Sequence, residues 1–193
     1  ERLIAVPSNY DDIYKSFTRS GSRVLALASK SLPKLTHTQI DDLSRDDVET
    51  ELEFNGFLIF HCPLKEDAIE TIKMLNESAH RCVMITGDNP LTAVHVAKEV
   101  GIADNKALIL DSASELDSRL LFRNIEETVT IPFDVNDDKF DFDNIFNRYD
   151  IAITGHALNA LQGHNQLNKI ISHTWVYARV SPSQKEFILN TLK

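Results

Sequence analysis

The chain has 193 residues and a formal net charge of −9, from 20 Lys and Arg against 29 Asp and Glu; 42% of it is hydrophobic and 25% charged. These values suit one packed domain or two small ones. The acidic balance argues against nucleic acid or an anionic membrane as a direct partner, though not against a nucleotide, which needs only a local positive site. Cys62 and Cys82 stand far apart in no CxxC pattern, which argues against a zinc or disulfide scaffold and for a reducing compartment. No apolar run approaches the roughly 18 residues of a membrane span. The sequence opens at Glu1 without methionine or signal peptide and is expected to be part of something longer.

In chain order, Tyr10, Ile13, Tyr14 and Phe17 have helical spacing, closed by Gly21. Arg23 opens an apolar run over 24–28, a predicted strand. The stretch 30–47 holds Pro33, Ser, Thr and acidic residues and reads as a connection with a short helix over 38–43. The pattern changes after it, so the internal boundary is placed at 47/48. Residues 54–60 predict a strand past Gly56, and Ala68, Ile69, Ile72 and Leu75 mark a helix over 66–77. A strand over 82–85 follows, then a helix with Ala93, Val94, Ala97 and Val100 inward, closed by Gly101. A further strand is expected over 107–110. This β-α-β-α-β order predicts an α/β fold with a parallel, doubly wound sheet.

Residues 112–147 read as an irregular acidic insertion with one strand over 128–131. Phe133, Phe140, Phe142 and Phe146 mark it as packed rather than disordered. The regular pattern resumes with a strand over 150–154 ending at Gly155, short helices over 157–162 and 166–172, and a strand over 175–178. Ser181-Pro182-Ser183-Gln184 is a capping box with Pro at the first helical position. The last helix turns Phe187, Ile188 and Leu192 inward.

The stretch that organises the chain is Cys82-Val83-Met84-Ile85-Thr86-Gly87-Asp88-Asn89-Pro90. An apolar strand runs into a turn at Gly87, and Asn89 caps a helix opened by Pro90. Ligands of open α/β sheets sit at such carboxyl ends, and a helix N-terminus there favours anions. Lys185 lies in the first turn of the last helix, where the macrodipole disfavours a cation, which suggests an anion nearby. Taken singly, Thr86, Asp88 and Lys185 are ordinary strand-end, cap and surface residues; surface is also the default for Arg23 and Arg179. Together, Thr86 and Lys185 are two parts of a phosphoryl-binding site, lacking a nucleophile. The seven histidines (His37, His61, His80, His95, His156, His164, His173) show no ligand spacing, so no metal site is expected from them.

These residues, in this order, resemble the P-type ATPases of the haloacid-dehalogenase-like superfamily. Met84-Ile85-Thr86-Gly87-Asp88-Asn89, with Thr92-Ala93, resembles the family's Thr-Gly-Asp motif. Tyr177-Ala178-Arg179-Val180-Ser181-Pro182-Ser183-Gln184-Lys185 resembles the segment bearing its invariant lysine. Ser22-Arg23-Val24-Leu25-Ala26-Leu27-Ala28 looks like the last strand of its nucleotide-binding domain. The wording from Phe60-His61-Cys62-Pro63-Leu64-Lys65 to Gly101, and over 174–180, looks closest to the fifth class, subtype A, in a fungal member. Those are transporters of the endoplasmic-reticulum membrane that dislocate transmembrane helices.

The resemblance implies ATP as substrate and Mg²⁺ as cofactor. It implies that Thr86 binds the phosphoryl group and that Lys185 stabilises it and an aspartyl phosphate. It implies that Arg23 reaches the nucleotide phosphates, that Asp88 and Arg179 meet the ribose, and that Gly87 allows close backbone approach. Pro63-Leu64-Lys65 would belong to an interdomain hinge, with Lys65 a further nucleotide-site candidate. Residues 1–47 would be the tail of a nucleotide-binding domain and 48–193 the second half of a Rossmann-like phosphorylation domain.

The family's Asp-Lys-Thr-Gly-Thr and Gly-Asp-Gly-x-Asn-Asp motifs do not occur here. The Asp that relatives carry in the hinge, near His61 or Cys62, is missing too. The piece is therefore expected to lie on the cytosolic side of the membrane and not to turn over ATP by itself, with the Mg²⁺ ligands elsewhere. Two other readings stay open. One is a soluble phosphatase of the same superfamily, with its acidic pair drawn from Asp134, Asp138, Asp141 and Asp143. The other is a non-enzymatic receiver or interaction module.

Overall fold

A computed structural model describes residues 2–114, 117–137 and 139–192. The chain divides into two compact units. The first holds residues 2–18 and 22–62; the second holds 19–21 and 63–192.

The first unit contains helix α1 (Tyr10–Arg19, whose last residue falls in the second unit), strand β1 (Arg23–Ser29), short helices α2 (His37–Asp41) and α3 (Arg45–Val48), and strand β2 (Glu53–Phe60). β1 and β2 pair antiparallel, from Arg23 opposite Phe60 to Ser29 opposite Glu53. The Tyr10 ring lies 4.8 Å from Phe57 and 5.3 Å from Phe54, so aromatic contacts hold α1 to β2. The expectation that residues 54–60 join the parallel sheet is thereby corrected. An apolar run specifies burial, not the partner strand, and here the partner is β1. The compact units accordingly part between Cys62 and Pro63 rather than at 47/48.

The second unit runs α4 (Ala68–Glu77), β3 (Met84–Ile85), α5 (Pro90–Glu99), β4 (Lys106–Ser114), β5 (Asp117–Asn124), β6 (Thr130–Phe133), α6 (Phe142–Phe146), β7 (Tyr149–Thr154), α7 (Gly155–Ala160), α8 (Leu167–His173), β8 (Thr174–Ala178) and α9 (Pro182–Leu192). Its six-stranded sheet has the order β3-β8-β7-β4-β5-β6. β3, β8, β7 and β4 are parallel, and β5 and β6 extend the sheet antiparallel. This is an α/β, Rossmann-like arrangement.

Both faces of the parallel strands are covered, which is why they read as continuous apolar runs. Leu108, Leu110, Ile151, Ile153 and Tyr177 face one layer, with Leu158, Ile170, Ile171 and Ile188 from α7, α8 and α9. Ala107, Ile109, Ala152, Val176 and Ala178 face the other, with Ala93, Val94 and Ala97 of α5. Alternate residues of each strand thus divide between the layers. The α5 face is rich in alanine on both sides, so that helix lies close to the sheet.

One further expectation is corrected. Residues 112–147 are not irregular: they supply the end of β4, all of β5 and β6, and α6. Leu120 and Phe122 of β5 are buried beside Phe133, whose ring lies 5.6 Å from that of Phe122, and the aromatic chain continues through Phe140, Phe142 and Phe146. Pro132 is on the edge strand β6, where a missing N–H costs no ladder bond. Helix α4 forms as expected, but none of its residues is buried, and Ile69 and Met74 are half exposed.

Ala97 has no exposed surface. Ala97→Leu is expected to overpack the α5 layer and lower stability by about 1–3 kcal/mol, read as a lower denaturation midpoint. Tyr177 is fully buried and donates its hydroxyl to the Ile171 carbonyl at 2.9 Å. Burial pushes its phenol up to about 12, from an ordinary value of 10.0. The folded chain therefore holds this proton where the unfolded chain releases it. The resulting stability is complete below pH 10 and is lost as pH rises toward 12. Tyr177→Phe should lack this component, so denaturation curves of the two proteins should converge between those pH values.

Candidate functional site

The parallel strands present their carboxyl ends along one edge of the sheet, and the site is assembled there. β3 ends at Thr86. The Thr86 hydroxyl donates to Asp88 Oδ2 at 2.9 Å and accepts from the Asp88 N–H at 3.1 Å, closing a turn of the kind short hydroxylated residues favour. Asn89 Oδ1 accepts from the Leu91 N–H at 2.8 Å and Pro90 opens α5, as the sequence predicts. Gly87 is exposed, and a Cβ on it would meet nothing within 4 Å. The open space leaves room for close approach to the backbone there.

The left-handed residue is Arg179, with φ +50°. It follows β8, and its position is fixed by two backbone bonds to the β3 turn. The Arg179 N–H donates to the Asp88 carbonyl at 3.0 Å, and the Val180 N–H donates to the Thr86 carbonyl at 3.1 Å. Just past β3, the Thr86 N–H donates to the Tyr177 carbonyl of β8 at 2.8 Å. Thr86, Asp88 and Arg179 are therefore one hydrogen-bonded cluster, with Gly87 in the turn between the first two. From Val180 the chain enters α9 through a reciprocal cap: the Ser181 N–H donates to Gln184 Oε1 at 2.9 Å and the Gln184 N–H to Ser181 Oγ at 3.3 Å. Lys185 is the next residue, and its side chain is exposed, with no hydrogen bond or ion pair to the described residues. The spacing of the two motifs thus becomes adjacency through β3 and β8, which pair directly.

Not every candidate joins this cluster. Arg23 is the first residue of β1, is exposed, and belongs to the first unit. Lys65 is exposed ahead of α4, and its carbonyl accepts from the Ala68 N–H at 3.1 Å. The acidic residues considered for a phosphatase serve their own turns. Asp134 Oδ1 accepts from the Asn136 N–H at 2.9 Å, and Asp141 caps α6 through the Asn144 N–H at 3.1 Å. Asp138 lies outside the described residues.

The sequence reading missed three features of this edge. Asp111, near the end of β4, accepts the Thr154 hydroxyl at 2.6 Å and the Ser112 N–H at 2.8 Å, a second hydroxyl–carboxylate pair. Gly155 is so close to the β8–α9 connection that a Cβ would run into the Arg179 carbonyl oxygen. Gln184 Nε2 donates to the Gly155 carbonyl and to Asn159 Oδ1, each at 2.7 Å. Only the cap was legible, as a Ser three residues before a Gln.

Among the described residues no group of three or more His, Cys, Asp or Glu is placed to hold a metal ion. The described residues thus supply no ready ligand set for the implied Mg²⁺. What the edge offers is a hydroxyl, the N-terminus of α5 and a solvent-facing ammonium, which together suit a phosphoryl group.

No protein-family model matches the chain. It is 74% identical over 194 residues to the endoplasmic reticulum transmembrane helix translocase of Saccharomyces cerevisiae, covering 100% of this chain and 16% of that protein. It is 49% identical to the protein of the same name in Schizosaccharomyces pombe, over 99% of this chain and 16% of that one. It is 39% identical to the probable manganese-transporting ATPase PDR2 of Arabidopsis thaliana, over 100% and 16%. The chain thus spans about a sixth of the length of these relatives. With its α/β sheet and phosphoryl-suited strand end, it belongs to the P-type ATPases. Within that family it aligns with the fifth class, subtype A, and with fungal members of it.

Arg179→Gly should remove the left-handed penalty and stabilise the chain by up to about 1 kcal/mol, whereas Arg179→Ala should not. Chemical denaturation of both variants checks this; a lower midpoint for the glycine variant would mean that the guanidinium, rather than the backbone, matters to the fold.

Proposed function

We propose that this chain is part of the cytosolic catalytic portion of an ATP-driven P-type transporter. The complete protein forms an aspartyl phosphate from ATP, with Mg²⁺ held by residues outside this stretch. It uses that energy to dislocate transmembrane helices from the endoplasmic-reticulum membrane, without nucleic acid as a partner. The first unit is the tail of the nucleotide-binding domain, and the second is the later half of the phosphorylation domain. These 193 residues alone do not turn over ATP.

The observation that carries this reading is the pair of backbone bonds tying the Thr86–Asp88 turn to Arg179 and Val180, which brings the lysine-bearing connection to the hydroxyl-bearing turn. The Thr86 hydroxyl, now donating to the Asp88 carboxylate, is already engaged with an anionic oxygen. In the phosphorylated state it turns to a phosphoryl oxygen, and Asp88 and Arg179 meet the nucleotide ribose. The Lys185 ammonium neutralises charge on the phosphoryl oxygens as the bond to the leaving group breaks. Arg23 and Lys65 are assigned to nucleotide phosphates on the strength of the resemblance alone. Identity to proteins whose names state helix translocation supports the choice of cargo.

The test uses the full-length protein in membranes, given γ-labelled ATP and Mg²⁺ and then quenched in acid. Hydroxylamine-sensitive label is expected. Lys185→Ala and Thr86→Val should each slow its formation or turnover by about a hundredfold or more, the scale of losing a group that stabilises developing charge. No hydroxylamine-sensitive label in wild type would refute the mechanism and favour an interaction module.

A further inference from the structure

Lys185 is a flexible side chain without an internal partner among the described residues. The protein can aim it only by fixing the backbone of the first turn of α9. That turn is intrinsically loose, because the leading N–H groups of a helix have no partners within it. Its cap is unequal: the Ser181 N–H to Gln184 Oε1 bond is 2.9 Å, but the return bond from the Gln184 N–H to Ser181 Oγ is 3.3 Å. Ser181 Oγ is shared with Ser183 Oγ at 3.0 Å.

The stronger anchor lies across the sheet. Gln184 Nε2 spends both of its protons on the β7–α7 junction, at the Gly155 carbonyl and Asn159 Oδ1. One amide thus joins three groups from two elements. β8 lies between β3 and β7 in the sheet, so the connection after it is pinned on both sides. Backbone bonds from Arg179 and Val180 hold the β3 side, and Gln184 holds the β7 side. Gly155 makes the second anchor possible, since a Cβ there would lie 2.7 Å from Gln184 Oε1.

We infer that Gln184, seated on Gly155 and Asn159, is the positioning residue for Lys185: it sets the direction from which the ammonium enters the phosphoryl site. The inference rests on the catalytic role proposed for Lys185. Gln184→Glu isolates the anchor from the cap. A glutamate keeps the acceptor for the Ser181 N–H and suits a capping box and the positive end of the helix dipole, so the helix itself is not weakened. It puts a carboxylate oxygen where Nε2 now donates to the Gly155 carbonyl, and the anchor is lost.

In the full-length transporter, Gln184→Glu is expected to lower kcat for ATP hydrolysis by about ten- to a hundredfold, the cost of a misplaced group, with KM for ATP changed by less than about twofold. The two lost donations should lower the thermal midpoint slightly, with the protein still folded at the assay temperature. Gln184→Glu combined with Lys185→Ala should be no slower than Lys185→Ala alone, because the anchor acts only through the lysine. Wild-type kcat for Gln184→Glu, or a loss that multiplies with that of Lys185→Ala, would overturn the positioning role while leaving the phosphoryl-site reading intact. An unimpaired Lys185→Ala would overturn both.

Discussion

The second unit depends on how β8 leaves the sheet. A strand ending at Ala178 would ordinarily run out into solvent. Here the next two N–H groups bond back to the carbonyls of Asp88 and Thr86, so the β3 turn and the β8 exit become one object. The cost is a non-glycine residue with left-handed backbone at Arg179. Such strain persists only where surrounding structure over-determines it. The over-determination is visible: two backbone bonds on one side, Gln184 and a glycine too close for any side chain on the other.

That arrangement needs a rigid sheet beneath it, and the sheet obtains its rigidity from two dissimilar faces. One is filled by large side chains, including Tyr177, Leu110, Ile153 and Phe122, all fully buried. The other is a close alanine-rich contact with α5. Thr86 lies where these layers meet the strand ends. Its neighbours Ile85 and Met84 pack against opposite layers, so β3 is clamped although only two residues long. A short strand held this way can place a hydroxyl without long ladder support.

Sequence made the local parts of this legible and left the non-local parts hidden. The turn after β3, the Asn89 cap with Pro90, and the Ser181–Gln184 box are signalled within a few residues, because capping chemistry is local. The parallel strands were found because burial on both faces leaves them uniformly apolar. β5 was missed for the opposite reason. Its buried Leu120 and Phe122 alternate with Arg119, Leu121 and Arg123, so the apolar run is only three residues long and lies in an acidic stretch. The pairing of β2 with β1 was equally hidden, since periodicity never names a partner. Helix spacing made α4 legible, while none of its residues is buried, since periodicity marks a face without showing what covers it. The tight spot at Gly155 depends on a chain segment two elements away, and no local pattern encodes that.

The electrostatics explain why a chain with an excess of acid can still suit a phosphoryl group. A net charge of −9 matters little at a strand end where donors point outward, because exposed charges beyond about 8–10 Å are screened at ordinary ionic strength. What counts is the immediate shell, and there Asp88 is the acidic group hydrogen-bonded to the Thr86 hydroxyl. An incoming phosphoryl oxygen competes with that carboxylate for one proton. Under the proposed function, Thr86 would serve either anion but not both through that proton, so phosphoryl binding and the Thr86–Asp88 bond would exclude one another.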